Sequence, residues 1–188
     1  MAVYKKQPIR TLETPRLLLR PVQFSDAPRI QLQFPNPNLL RYLNSTLPIP
    51  YPEDGAVEFL SRIVPRVESR EEYTWAILRK DQPNEGLIGL IALTPQGEND
   101  HRGFWLGESY WRQGYMKEAV TAVNDFAFDE LQMEYLLLNN AEPNLASHRL
   151  KEFSGAEIID RFEQEFVGGT FTSVRWKLTA EAWSKNRG

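Results

Sequence analysis

The apolar run Arg16-Leu-Leu-Leu-Arg-Pro-Val22 predicts a first strand, and Ser25 or Asp26 then offers a side-chain oxygen to cap a helix running to about Phe34. Prolines 35, 37, 48, 50 and 52 break up the next stretch, which holds one helical turn over Leu39–Leu43. Pro52, Glu53 and Asp54 start a second helix ending near residue 68. Tyr73–Arg79 alternates like a strand, whereas Gly86–Leu93 is continuously apolar, as expected of a buried central strand. Pro83, Asn84 and Glu85 turn between them, and Arg102–Glu108 makes a third consecutive strand, so an antiparallel meander is expected.

The period then changes. Met116, Ala119, Val120, Val123, Phe126, Ala127 and Leu131 recur at three- and four-residue spacing, which puts one apolar stripe on an amphipathic helix. Tyr135–Leu138 is a short apolar run expected to lie parallel to the strand before that helix, closing a right-handed crossover. Asn144–Ser154 reads as a helix stopped by Gly155, and Ala156–Val167, Gly168-Gly169 and Thr170–Leu178 read as a hairpin. The expected order is one strand, two helices, three strands, a helix, a strand, a helix and two strands: a mixed α/β fold of about seven strands and four helices.

Composition narrows this picture. At 188 residues, 41% hydrophobic and 25% charged, the chain suits one globular domain over residues 1–188. Lys and Arg number 22 against 25 Asp and Glu, a net charge of -3, so no global basic field draws nucleic acid or anionic lipid. Any anionic ligand must be held locally. No Cys and only His101 and His148 leave few candidates for a metal site, a thiolate nucleophile or a Ser-His hydrolase, and no metal is expected. Met1–Arg10 carries Lys5, Lys6 and Arg10 without a signal-like apolar run, and no stretch approaches the ~20 apolar residues of a membrane span, so a cytoplasmic protein is expected.

Candidate chemistry concentrates in Gly103–Ala119, where a strand passes through a short loop into the strongest helix. The first N–H groups of a helix lack intrahelical acceptors and sit at its positive end, so Gln113, Gly114, Tyr115, Met116 and Lys117 together suit a phosphate, with Arg112 and Lys117 adding charge. A plain helix start with a glycine entry turn accounts for the same residues.

Several short patterns now line up: Thr14-Pro-Arg-Leu-Leu-Leu-Arg-Pro21 with Asp26, Gly89-Leu-Ile91, Trp105-Leu-Gly107, Tyr110-Trp-Arg-Gln-Gly-Tyr115, Glu118-Ala119, Asn144 with Ser147, and Lys177-Leu-Thr179 before Trp183. In this order, over residues 11–183, the chain resembles the GNAT N-acetyltransferases, and within them the RimJ/RimL-like branch. The resemblance implies a mainly antiparallel twisted sheet splayed between its fourth and fifth strands. It also implies acetyl-CoA as co-substrate in that opening, with the pyrophosphate on Arg112–Lys117 and the pantetheine paired with the backbone of Phe104, Trp105 and Leu106. Sheet packing alone also accounts for Phe104 and Trp105.

By the same resemblance, Asn144 hydrogen-bonds the pantetheine and Ser147 protonates the departing CoA thiolate. Asn144 as a helix cap and Ser147 as a filler of the first turn remain the plainer readings. A base is needed for the acceptor amine and is not selected: Glu98, Asp100 and Glu108 flank the fourth strand, each also explicable as a solvated charge. His148 is a candidate to touch CoA or solvent, and His101 is expected at an exposed strand start.

Phe153-Ser-Gly-Ala156 departs from the family pattern at a helix end, and three residues depart from it in the loop before the strongest helix and that helix's first turn. Arg112 replaces a usual glycine, and Met116 and Lys117 replace a small and a hydroxyl residue; the bulk of Met116 is expected to crowd a phosphate. The activity implied is acetyl transfer from acetyl-CoA to a primary amine, a protein amino terminus or a small molecule, by direct attack in a ternary complex. The alternative is a non-catalytic acyl-CoA-binding or regulatory protein. Phe34–Tyr51 and the hairpin Phe162–Phe171 are expected to shape the acceptor site, and the open edge of that hairpin suits a homodimer.

Overall fold

The computed structural model describes residues 4–187; the expectations for Met1–Arg10 and for a domain over 1–188 extend beyond these. Five strands form one antiparallel sheet in chain order: β1 (Leu12–Glu13), β2 (Leu17–Pro21), β3 (Tyr73–Arg79), β4 (Leu87–Leu93) and β5 (Arg102–Leu106). A second, three-stranded sheet has the order β6 (Tyr135–Ala141), β8 (Gly169–Thr179), β7 (Glu157–Phe166). The helices are α1 (Ala27–Gln33), α2 (Pro37–Leu40), α3 (Gly55–Glu68), α4 (Tyr115–Asp125), α5 (Leu145–Ser154) and α6 (Ala180–Asn186).

Four helices and seven strands were expected, with one helical turn over Leu39–Leu43; that turn is the short α2, begun two residues earlier at Pro37, and the two-residue β1 and the short α6 are the additions. Each is too short for a periodic signal and exists through local contacts. In α6 the Thr179 hydroxyl accepts from the Ala182 N–H at 3.1 Å, and the helix buries Trp183, whose indole N–H donates to Asp125 at 2.9 Å.

Both faces of the larger sheet are covered, which is why β4 reads as a continuous apolar run. On one face α1 and α3 bury Ile30, Ala56 and Leu60 against Ala76, Leu87 and Leu90. On the other, every member of the stripe from Met116 to Leu131 is buried against Leu17, Leu19, Trp75, Ile77 and Ile91. That helix widens into a π turn over Phe126–Glu130 before β6. The entry to α1 follows a different route from a simple Ser or Asp cap. The Asp26 carboxylate accepts from the Gln23 N–H at 2.8 Å and takes a two-pronged hydrogen bond from Arg20 at 2.6 and 2.9 Å, tying the turn to β2.

The crossover over α4 was expected to set β6 alongside β5. Instead the two strands belong to different sheets, and they are stitched at His101: its N–H donates to the Leu137 carbonyl at 2.8 Å, and its Nδ1 accepts the Leu137 N–H at 2.7 Å. His101 is therefore buried, not exposed as expected. From this vertex the edges of β5 and β6 diverge, and the opening between them leads to the loop before α4. Close packing keeps the wall thin: a Cβ at Gly89 of β4 would lie 2.3 Å from the Trp105 carbonyl.

Candidate active site

At the mouth of the opening, Arg112 and Gly114 both adopt the left-handed region, with φ of 62° and 80°, and turn the chain from the end of β5 into α4. Arg112, which stands where the family usually has glycine, thus holds a conformation that glycine adopts more easily. Among the described residues, no acceptor takes the backbone N–H of residues 112–117. These are unused donors at a helix N-terminus, on the loop that the sequence singled out for a phosphate.

Its side chains are distributed differently from the expectation. Met116 turns into the core, so its bulk does not crowd the loop. Lys117 swings to α5, its Nζ 3.9 Å from the centre of the Phe153 ring. Arg112 is exposed and makes no ion pair among the described residues. Tyr115 is buried beneath the Arg16 guanidinium, which lies 4.5 Å from its ring centre.

What holds the loop is Arg16 together with Glu118. Arg16 donates to the Gln113 carbonyl at 2.9 Å and to Glu118 at 2.8 Å, and its own N–H donates to Glu118 at 2.7 Å. Thr14 adds a hydroxyl to the same carboxylate. Burial, the largest single effect, raises the Glu118 pKa, but these bonds and the Arg16 charge together outweigh it and hold the carboxyl below its ordinary range. Arg16 and Glu118 were visible only as parts of a pattern; the pairing of two residues about a hundred positions apart has no local signal.

Along β5, Gly107 donates to the Ile88 carbonyl at 2.8 Å, and alternation in an antiparallel ladder then turns the N–H and C=O of Phe104 and Leu106 away from β4, towards the opening. The Leu106 carbonyl already accepts the Trp111 indole N–H at 2.6 Å. Phe104 thus has a free backbone edge, whereas Trp105 has its backbone in the ladder with Leu90 and its side chain elsewhere.

That side chain lines a cavity of about 320 Å³ on the other face of the sheet, with Phe34, Leu43, Leu47, Tyr51, Phe59 and Leu90. Phe34 packs edge-on to both Tyr51 and Trp105, at 5.1 and 5.3 Å between ring centres. The expected segment Phe34–Tyr51 therefore does line a cavity. The hairpin acts on it indirectly: Val167 and Gly168 donate to the carbonyls of Leu43 and Arg41, both at 2.9 Å, and fix the segment in place. Sequence reasoning missed the cavity's polar floor, Glu72. This carboxylate is 7% exposed, accepts the Thr74 hydroxyl at 2.7 Å and lies 3.6 Å from Arg66. A lone Glu between a helix end and a strand carries no sequence signal.

On α5, Asn144 is the cap of the plainer reading: its Oδ1 accepts the Ser147 N–H at 3.2 Å, leaving its amide N–H groups without a partner among the described residues. Ser147 lies buried one turn on, and its Oγ accepts from Lys151 Nζ at 2.8 Å. His148 faces the Trp176 ring at 4.6 Å and Glu152 at 3.7 Å.

The three carboxylates flanking β5 have different roles. Glu108 accepts from the side chains of Asn36 at 2.6 Å and Asn38 at 2.8 Å, which lowers its pKa and makes it an anchor for α2 rather than a base. Glu98 is exposed. Asp100 is exposed as a whole residue, but its carboxyl packs inward and accepts the Arg102 N–H at 3.3 Å. Desolvation pushes that carboxyl up to about 6, against the pull of Lys151.

Similarities to known proteins bear on these features. A family model described as an acetyltransferase (GNAT) domain matches residues 16–157. An uncharacterized N-acetyltransferase of Bacillus subtilis, YoaA, is 28% identical over 142 residues, covering 74% of this chain and 78% of its own. Among solved structures, RimL, a ribosomal L7/L12 alpha-N-protein acetyltransferase in complex with coenzyme A, superposes with a TM-score of 0.77 at 15% identity, covering 92% of this chain and 99% of that one. Mycobacterium smegmatis RimJ in complex with CoA-disulfide gives 0.75 at 18% identity, over 94% of this chain and 88% of its own.

Proposed function

The chain belongs to the GNAT acetyltransferase family, and from that premise we propose that it transfers the acetyl group of acetyl-CoA to a primary amine by direct attack in a ternary complex. The observation that carries this reading is the pairing of two separate spaces on one thin wall. The opening between β5 and β6 leads to six unused N–H donors, while the cavity behind Trp105 reaches the same strand from the other side.

The chain's residues divide the work as follows. The N–H groups of residues 112–117, with the charge of Arg112, hold the pyrophosphate. The free edge of Phe104 pairs with the pantetheine as an added strand, and the Asn144 amide donates to it from the opposite side. A backbone N–H of β5 polarises the thioester carbonyl, and Ser147 supplies the proton to the departing sulfur. Phe34, Tyr51 and Trp105 exclude water around the acceptor amine. With no Cys in the chain, no thiol takes the acetyl group in passing. The aromatic cavity suits a peptide amino terminus, as the names of RimL and its relatives suggest, or a small amine of similar size.

The test is release of free CoA thiol from acetyl-CoA in the presence of a panel of amines and amino-terminal peptides, an assay without protein background in a chain lacking Cys. Acetyl-CoA binding by calorimetry with acceptor-dependent thiol release supports the proposal. Tight binding with no turnover on any acceptor would favour a non-catalytic acyl-CoA-binding protein.

A further inference from the structure

Beside the opening, between β5 and α5, the chain buries charge that the reaction above does not use. Lys151 is 2% exposed and stands one helical turn after Ser147. Its Nζ donates to Ser147 Oγ at 2.8 Å and lies 5.9 Å from the centre of the Phe104 ring, which sets ammonium and hydroxyl together against the wall formed by β5. Having accepted from Lys151, the Ser147 hydroxyl donates to no atom among the described residues, so its own hydrogen is available to an acceptor in the opening. Burying an ammonium is costly, and an apolar side chain at this position would fill the space without that cost.

We propose that Lys151 is a positioning residue for Ser147: its ammonium fixes the direction of the hydroxyl and restores the proton that the hydroxyl gives to the CoA sulfur. This rests on the acetyltransfer reading above. When the tetrahedral adduct collapses, the C–S bond breaks and its electron pair stays on sulfur. The sulfur takes the Ser147 hydroxyl proton, Ser147 Oγ takes one proton from Lys151, and Lys151 is left as a neutral amine. It regains a proton from solvent as product leaves. The proton lost by the acceptor nitrogen goes to solvent, so the exchange balances.

The surroundings tune Lys151 for such a role. Facing it are the Arg102 guanidinium of β5 and the Asp100 carboxyl just before that strand, while α4 contributes only the uncharged Asn124, bonded to Arg102. On α5 itself, His148 and Glu152 turn towards each other, with the His148 ring against Trp176. Burial first, and Arg102 second, push Lys151 down to about 7, with Asp100 opposing them. A donor that must be protonated gives kcat a falling limb above that pH.

The experiment uses the full chain, an amine turned over in the thiol-release assay, and four variants. Lys151→Met should lower kcat by roughly 10-fold or more and abolish the falling limb, with acetyl-CoA affinity unchanged. It should also raise the thermal midpoint, because a buried charge is replaced by an apolar side chain of similar length. Lys151→Arg should move the limb to higher pH. Lys151→Met added to Ser147→Ala should cost nothing beyond Ser147→Ala alone. In the free protein, the Lys151 ε-amino group should titrate near 7 by NMR. The proposal is overturned if Lys151→Met keeps the wild-type kcat and pH profile, if the two losses multiply, or if Lys151 titrates in the ordinary lysine range. Failure of the wild type to bind acetyl-CoA, measured first, sinks the acetyltransfer reading itself and this proposal with it.

Discussion

Leu137 donates its backbone N–H to the Nδ1 of His101, and the His101 N–H donates back to the Leu137 carbonyl, so one residue of β6 and the residue entering β5 close the vertex from which the two sheets diverge. With Nδ1 acting as acceptor, the imidazole is neutral and its remaining proton is on Nε2. Burial lowers its pKa from 6.5, opposed by a hydrogen bond to the Gly97 backbone. The unfolded chain therefore binds this proton more readily than the folded one, and stability falls as pH drops from about 6.5 through the lower folded value. Urea unfolding from pH 7.5 to 5 should show this loss in the wild type and less of it in His101→Asn. His101→Ala should cost about 1–3 kcal/mol at neutral pH by orphaning the Leu137 N–H. An equal pH slope in wild type and His101→Asn would refute the assignment.

Glu118 ties the cradle at α4 to the first strands through Arg16 and Thr14. Glu118→Gln should leave the fold intact but weaken acetyl-CoA binding several-fold, since the donors of residues 112–117 would no longer be held together. Gly114→Ala should do so as well, and should cost about 1–2 kcal/mol of stability, because φ at 80° is unfavourable for any Cβ. Calorimetry and thermal unfolding separate the two effects. Unchanged affinity in both variants would remove residues 112–117 from the binding site.

The sequence made legible what local periodicity encodes. The stripe from Met116 to Leu131 and the run Leu87–Leu93 became the two elements that pack the core. The loop before α4 was legible because a glycine entry, a helix start and a family pattern coincide on the same few residues. Illegible were the features made by side chains far apart in the chain. The burial of His101 depends on β6, the Arg16–Glu118 clasp on a turn and a helix, and the cavity floor at Glu72 on α3, β3 and β5 meeting. Met116 shows the same limit in reverse. Its identity suggested a clash with phosphate, yet the helix phase that puts it in the stripe also points it into the core.

Asn144 and Ser147 are linked by a capping bond at 3.2 Å and should separate kinetically despite it. Asn144→Ala should weaken acetyl-CoA binding and, through loss of the cap, lower stability by about 1 kcal/mol. Asn144→Asp, which keeps an acceptor oxygen for the cap, should recover the stability without the affinity. Ser147→Ala should leave acetyl-CoA affinity nearly intact and lower kcat by about 10²- to 10⁴-fold where chemistry limits the rate. Full turnover in Ser147→Ala would mean that water protonates the thiolate.

Glu72 is a buried carboxylate lining the cavity proposed for the acceptor. Its Oε1 is engaged by Thr74, while Arg66, at 3.6 Å from Oε2, is too distant for a hydrogen bond. Oε2 therefore retains capacity for a donor entering the cavity. Thr74, Ala92 and Gly103 stand opposite one another across β3, β4 and β5, and two strand spacings of ~4.8 Å put this end of the cavity about 10 Å from the strand where the thioester would lie. An acceptor that spans this distance and ends in a hydrogen-bond donor should lose affinity in Glu72→Gln. A charge-assisted hydrogen bond contributes about 1.5–3 kcal/mol, so KM for that acceptor should rise roughly 10- to 100-fold, with acetyl-CoA affinity unchanged. Acceptors too short to reach Glu72 should show no change in KM. Comparing a short monoamine with a longer amine bearing a terminal donor, in wild type and Glu72→Gln, measures the difference directly. Equal KM changes for both would mean that Glu72 supports the cavity wall and reads nothing in the acceptor.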